Sequence, residues 1–153
     1  MYQRILVPLD GSATANRGLQ EAVALATGHS CRLLLLHVLD DYPLFSQVST
    51  VAGYQDMLKA LRERGLEVLA RARTAADGAE VRSETLLREV SGRRVADVIV
   101  DQVRQHRCDL VIMGTHGRRG MSRLTLGSDA EEVLRSCQVP VMLVRETPAT
   151  GQG

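Results

Sequence analysis

The sequence predicts an α/β fold: a doubly wound, five-stranded parallel sheet with helices on both faces. Three observations predict it. Short, continuously apolar runs alternate with longer segments of helical periodicity in the order β-α-β-α-β-α-β-α-β, the pattern of crossover units over a buried sheet. The apolar residues are aliphatic: 44% of the chain is hydrophobic, only 3% is aromatic, and Trp is absent. That composition suits helices on a parallel sheet better than an aromatic-rich sandwich. The length of 153 residues suits one core, so residues 1–146 are expected to form a single domain, with a flexible tail over 147–153.

Each element follows from local chemistry. Arg4 to Leu9 is an apolar run that stops at Asp10-Gly11-Ser12, a buried strand ending in a turn. Ser12 is placed to cap a helix to about Thr27, with Leu19, Ala22, Val23 and Ala26 on one face and Gly28 as its stop. Arg32 to Leu39 is leucine-rich, which alone favours helix. The Gly28 break before it and Asp40-Asp41-Tyr42-Pro43 after it leave room only for a second strand. Residues 42–53 carry no periodicity and read as a long loop, a candidate lid. A helix is expected over about 54–75, and a third strand, nearer an edge, over 80–87. Ser91 is the expected cap of a helix burying Val95, Val98, Ile99 and Val103. Asp109 to Met113 is the fourth strand and runs straight into Gly114. Ser128-Asp129-Ala130-Glu131 has capping-box spacing and opens the last helix, and Val141 to Val144 is the fifth strand.

Charge and cysteine content narrow the function. The net charge is +1, with both signs spread along the chain, so nucleic acid is not an expected partner. No long apolar run or leader pattern appears, so neither a membrane nor export is expected. Cys31, Cys108 and Cys137 form no CxxC pair, which suits three buried thiols in a reducing compartment, hence a cytoplasmic location. Lys59 is the sole lysine and lies in no glycine-rich loop.

The chemistry concentrates between Gly114 and Ser128. Four glycines (114, 117, 120 and 127) follow a buried strand, where the backbone can turn sharply and approach a ligand. Ser128 stands at a helix start, where unpaired N–H groups and the positive dipole end favour an anion. By spacing alone this is equally a loop followed by a capped helix. GxxxxGK[ST], GxGxxG after the first strand, HExxH and GxSxG are all missing. In an α/β sheet, ligands sit beyond the strands' carboxyl ends where strand order reverses; Asp10 and Gly114 both follow strands. His37 reads as a satisfied core imidazole, while His116 is a candidate phosphate contact or weak pH sensor.

Gly114, Gly117, Gly127 and Ser128 fit the pattern G-x2-G-x9-G-[ST]. Together with Ile5-Leu6-Val7-Pro8-Leu9-Asp10-Gly11-Ser12, Leu36-His37-Val38 and Val139-Pro140-Val141-Met142-Leu143-Val144, the chain resembles the ATP-binding branch of the universal stress protein family nearly throughout. The resemblance implies a Rossmann-like fold of the adenine nucleotide alpha hydrolase type. It implies a nucleotide site of Pro8, Leu9, Asp10, Val38, Met113, Gly114, Gly117, Arg118, Gly127 and Ser128. In it the Val38 backbone faces adenine, Gly114 and Gly117 run under ribose and phosphates, and Gly127 and Ser128 take phosphate. Asp10 would help to hold Mg²⁺ or Mn²⁺ with the ATP. The last strand, Val141 to Val144, would pair with its copy in a homodimer, and a protein partner would read the bound state. Arg118, Arg119 and Arg123 depart from the pattern's fixed positions; loop arginines are mostly exposed, and Arg118, next to Gly117, is kept in the set.

The expected function is therefore an ATP-binding, stress-response regulator rather than a fast enzyme, since no general base or lysine is placed at the phosphates. A slow ATP hydrolase and a nucleotide-free interaction protein are the alternatives. An adenylate-transferring enzyme would carry a serine-glycine-glycine loop after the first strand, where Leu9-Asp10-Gly11-Ser12 stands instead.

Overall fold

The computed structural model describes residues 1–116 and 125–146. Its elements run β1 (Arg4–Pro8), α1 (Ala13–Ala26), β2 (Arg32–Asp40), a 3-10 helix (Tyr42–Ser46), α2 (Val51–Gly78), β3 (Arg82–Val90), α3 (Val95–Gln105), β4 (Leu110–Gly114), α4 (Ser128–Ser136) and β5 (Val141–Val144). The five strands form one sheet in the order β3-β2-β1-β4-β5, and every pairing is parallel. The expected tail over 147–153 lies outside the described residues.

Alternation of side chains builds two cores. Ile5, Val7, Leu33, Leu35, Leu110 and Ile112 face α1 and α2. Leu6, Leu34, Leu36, Val111 and Met113 face α3 and α4. With both faces covered, the central strands must be apolar at every position, which explains the unbroken leucine run of β2. β3 has a more polar pattern because it is an edge strand.

The boundaries correct four expectations. The segment 42–53 is not a plain loop: it holds the 3-10 helix and the first turn of α2, whose cap is Thr50, with its side chain accepting from the Gly53 amide at 3.0 Å. β3 runs from Arg82 to Val90 rather than over 80–87. Arg94, not Ser91, is the N-cap of α3. In α4 the N-cap is Gly127, and Ser128 is the first helical residue, so the expected capping box does not form.

Candidate functional site

The strand order places the reversal point between β1 and β4. From β1 the chain moves outward through β2 to β3, then returns to β4 on the opposite side of β1. Connections leave these two neighbours in opposite directions, so a crevice opens beyond their carboxyl ends.

Register decides what meets there. β1 and β2 pair Pro8 with Leu36, and the Leu9 amide continues the ladder to the Leu36 carbonyl at 2.8 Å. The same register, carried two residues past Pro8, puts Asp10 level with Val38. β1 and β4 pair Leu6 with Val111, and past that pair the two strands run on to Pro8 and to Gly114, with Asp10 and Thr115 just beyond their ends. Adjacent strands lie about 4.8 Å apart, so β2, β1 and β4 together span roughly 10 Å of one rim. Val38 and Met113 belong to the α3/α4 face, and Pro8 shares it by alternation with Leu6.

The turn after β1 is tightly specified. The Ser12 amide donates to Asp10 Oδ1 at 2.9 Å, and Ser12 Oγ accepts from the Ala15 amide at 3.2 Å. Gly11 has φ +83°, the left-handed region that glycine enters without strain. Leu9 is buried, and its carbonyl accepts a hydrogen bond from His37 Nδ1 at 2.7 Å. Leu9 thus supports the turn through both backbone groups, and His37 is the satisfied imidazole that the sequence suggests.

On the β4 side, Gly114 is glycine for a reason that spacing did not reveal. A Cβ there would lie 2.8 Å from the carbonyl carbon, Cβ and Oγ1 of Thr14. Its bare backbone lets the first turn of α1 rest on β4. Thr14 Oγ1 then donates to the His116 carbonyl. Thr115 is buried, with its amide donating to the Val144 carbonyl at 2.9 Å and its carbonyl accepting from the Gly127 amide at 2.8 Å. This last bond joins the two ends of the glycine-rich segment, and it engages the Gly127 N–H within the protein. Gly117, Arg118, Arg119 and Arg123 lie outside the described residues.

α4 begins immediately after this clasp. Its first i→i−4 bond runs from Glu131 to Gly127 at 3.0 Å, so the amides before Glu131 have no carbonyl inside the helix. Ser128 is exposed and makes no capping bond. Asp129 and Glu131 stand in the same turn, but the Glu131 carboxylate is drawn down the helix by Arg135 at 2.7 Å. The His116 ring is held by Thr115 Oγ1 at 2.8 Å, and its buried Nε2 has no partner among the described residues.

Among the described residues no group of three or more His, Cys, Asp or Glu side chains converges to hold a metal. A divalent cation at Asp10 would therefore fit only as one carried largely by phosphate oxygens, which is how Mg²⁺ commonly binds beside nucleotides.

A family model described as "Universal stress protein family" matches residues 1–145. The chain belongs to the universal stress protein family. A universal stress protein of Thermus aquaticus is 32% identical over 145 residues, covering 95% of this chain and all of that protein. The fold agrees with the solved structure of MJ0577, a protein of Methanocaldococcus jannaschii, at a TM-score of 0.85 and 24% identity, covering 97% of this chain and 99% of that one. It also agrees with a universal stress protein solved in complex with cAMP, at a TM-score of 0.68 and 24% identity over 95% of this chain and 99% of that one. At these identities the structural likeness speaks for the fold.

Proposed function

We propose that this universal stress protein binds ATP at the β1/β4 crevice and uses the bound nucleotide to regulate a protein partner in a stress response. One observation supports the reading above the others: the carboxyl ends of β1 and β4 lie side by side at the reversal point, with Asp10 and Thr115 just beyond them, beside a helix whose first-turn amides find no carbonyl within the helix. In this reading the adenine lies against the Val38 backbone, with Pro8 and Met113 beneath it. Ribose and phosphates cross the ends of β1 and β4, past Leu9, Gly114, Gly117 and Arg118, toward Gly127 and the exposed Ser128 hydroxyl. Asp10 would hold a Mg²⁺ or Mn²⁺ ion that neutralises phosphate charge. The complex of a fold relative with cAMP is consistent with an adenine ligand on this architecture. Lys59 is exposed on α2, 3.9 Å from Glu63, and no lysine lies in the glycine-rich segment, which favours binding over phosphoryl transfer.

The outer edge of β5 supports the proposed homodimer. β5 ends the sheet order, and Met142 is 40% exposed on it, so a second copy of Val141–Val144 would extend the ladder. Residues 1–146 are taken as one domain, and the buried thiols of Cys31 and Cys108 suit a cytoplasmic protein. Among the described residues no helix is long and apolar enough to cross a membrane.

A calorimetric titration of the whole chain with Mg-ATP tests the reading: saturable heat at sub-millimolar nucleotide is expected, and its absence overturns the proposal. Turnover of roughly 1 per second or faster would recast the protein as an enzyme. The nucleotide-free alternative has one observation behind it, since Gly114 and Gly127 both serve internal packing or hydrogen bonding. Ser128 does not, so its variant separates the two readings.

A further inference from the structure

We propose that the outer edge of β3 binds a second copy of this chain, pairing antiparallel with the same strand about a twofold axis at Leu86. β3 ends the sheet on the side opposite β5. All nine of its residues pair with β2, so its other edge offers an unbroken row of N–H and C=O groups to a further strand. Shortness, proline or a bulge commonly blunts such an edge, and β3 has none of them. It carries charges instead, and their order is self-complementary.

Leu86 packs with the α3/α4 core and Leu87 with the α1/α2 core, so Arg82, Glu84, Leu86 and Arg88 share the α3/α4 face by alternation. An antiparallel copy centred on Leu86 sets Glu84 opposite the partner's Arg88, and Arg88 opposite the partner's Glu84. The two Leu86 side chains meet between them. Opposite charges directly across a ladder stabilise it, and like charges weaken it. Leu86 is also the middle residue of Arg82–Val90, so this register pairs the whole strand. Centring on Thr85 would oppose Arg82 to Arg88, and centring on Glu84 or Arg88 would oppose that residue to itself. Centring on Leu87 would pair no charges. Within each chain, Glu84 lies 3.4 Å from Arg4 and Arg88 Nε 3.3 Å from Gln102 Oε1, so each keeps polar atoms for a partner across the edge.

α2 fits the same axis. It packs on β2 and β3 about equally, so it lies above the seam between them. Joining the two β3 strands about 4.8 Å apart then brings α2 and its copy to about 10 Å, a helix-packing distance. Gly65 rests beside Leu87, since a Cβ there would lie 3.1 Å from Leu87 Cδ1, and Arg62 reaches Glu89 Oε2 at 2.9 Å. Leu66 follows Gly65 and lies four residues from Arg62, on the flank of α2 toward the β3 edge and near the axis. It is 52% exposed, and the partner's Leu66 would cover it. This edge is separate from β5, so the contact does not rest on the proposed β5 homodimer.

Sedimentation equilibrium of the full chain and its variants tests the contact. The wild type should self-associate. Glu84→Arg and Arg88→Glu should each weaken this association about tenfold, because the symmetry turns two attractive pairs repulsive at once. An equimolar mixture of the two should associate like the wild type, since opposite charges meet again, and so should the double variant Glu84→Arg/Arg88→Glu. Leu66→Glu would set two carboxylates near the axis and should weaken association with an unchanged far-UV circular dichroism spectrum. If the β5 homodimer also forms, the weakened variants stop at a dimer; if it does not, they stop at a monomer. Should Arg88→Glu fold poorly, Glu84→Arg and Leu66→Glu, both at exposed positions, carry the test. A wild type that stays monomeric at millimolar concentration, or association that Glu84→Arg and Leu66→Glu leave unchanged, would overturn the proposal. So would a mixture of folded single variants that fails to recover.

Discussion

Gly114→Ala separates two reasons for a glycine at the end of β4. If the residue is bare only so that a ligand can approach, alanine should weaken nucleotide binding and leave the fold alone. The structure argues for a packing cost as well. The new Cβ would stand 2.8 Å from three atoms of Thr14, including its backbone carbonyl carbon, closer than carbon atoms pack. Backbone cannot rotate away as a side-chain tip can, so α1 or β4 must shift. Overpacking of this kind costs about 1–3 kcal/mol, and a backbone clash belongs at about 2–3 kcal/mol in that range. For a chain of this size about 1 kcal/mol moves the melting temperature by about 2–4 °C, so a fall of about 4–12 °C is expected. The Thr14–His116 bond should weaken with it, loosening the segment that Thr115 and Gly127 clasp. Urea and thermal unfolding of Gly114→Ala measure this, with Gly78→Ala as control because nothing lies within 4 Å of its would-be Cβ. If Gly114→Ala unfolds like the wild type, the packing argument is wrong and ligand approach alone explains the glycine.

Four further outcomes are expected. Ser128→Ala should leave unfolding within about 0.5 kcal/mol of wild type, because Ser128 is not the cap, yet lower Mg-ATP affinity about tenfold by calorimetry if its hydroxyl meets phosphate. Gly65→Ala would place a Cβ 2.6 Å from His37 Cδ2; it should cost about 1–3 kcal/mol in urea unfolding and free the Leu9 carbonyl. The Tyr54 hydroxyl, then Ser91, holds the Asp41 carboxyl below its ordinary value. A lowered pKa stabilises above the unfolded value and is lost as pH falls through the folded one, so stability should decline on acidification below about pH 4, and carboxyl NMR should show the Asp41 titration moving up in Tyr54→Phe. Burial pushes the Cys108 thiol up to about 11, so it should resist alkylation at pH 8 until the protein unfolds, as mass spectrometry of iodoacetamide-treated protein will show.

The sequence was most legible where the signal is local. Apolar runs identified β1, β2, β4 and β5, and the alternation of residues 80–87 identified β3 and placed it toward an edge. Ser12 was readable as a cap because the turn, the hydroxyl and the helix are contiguous. Other signals were ambiguous or distant. Ser91 and Ser128 are competent caps by type, but the chain enters α3 at Arg94 and α4 at Gly127, and residue type alone does not fix the entry point. Residues 51–53 of α2 bury too little to show periodicity. The role of Gly114 depends on Thr14, and that of Gly65 on His37, each across a wide sequence separation.

These distant contacts also bear on how a nucleotide could act as a signal. A regulator needs an element that the ligand site can bias and that reaches the surface elsewhere. α2 meets the turn after β1 in two ways. Val68 Cγ2 would lie 3.3 Å from a Cβ at Gly11, and Gly65 receives the His37 ring whose Nδ1 donates to Leu9. Leu9 and Gly11 flank Asp10, so a cation or phosphate pulling on Asp10 would strain both contacts together. The far side of α2 is exposed at Leu66, and Arg62 leads from the same helix to Glu89 on β3. On the proposed reading, a change at the β1 turn therefore reaches the outer surface through one rigid helix. Interrupting either link should uncouple partner binding from nucleotide binding while leaving the crevice itself intact.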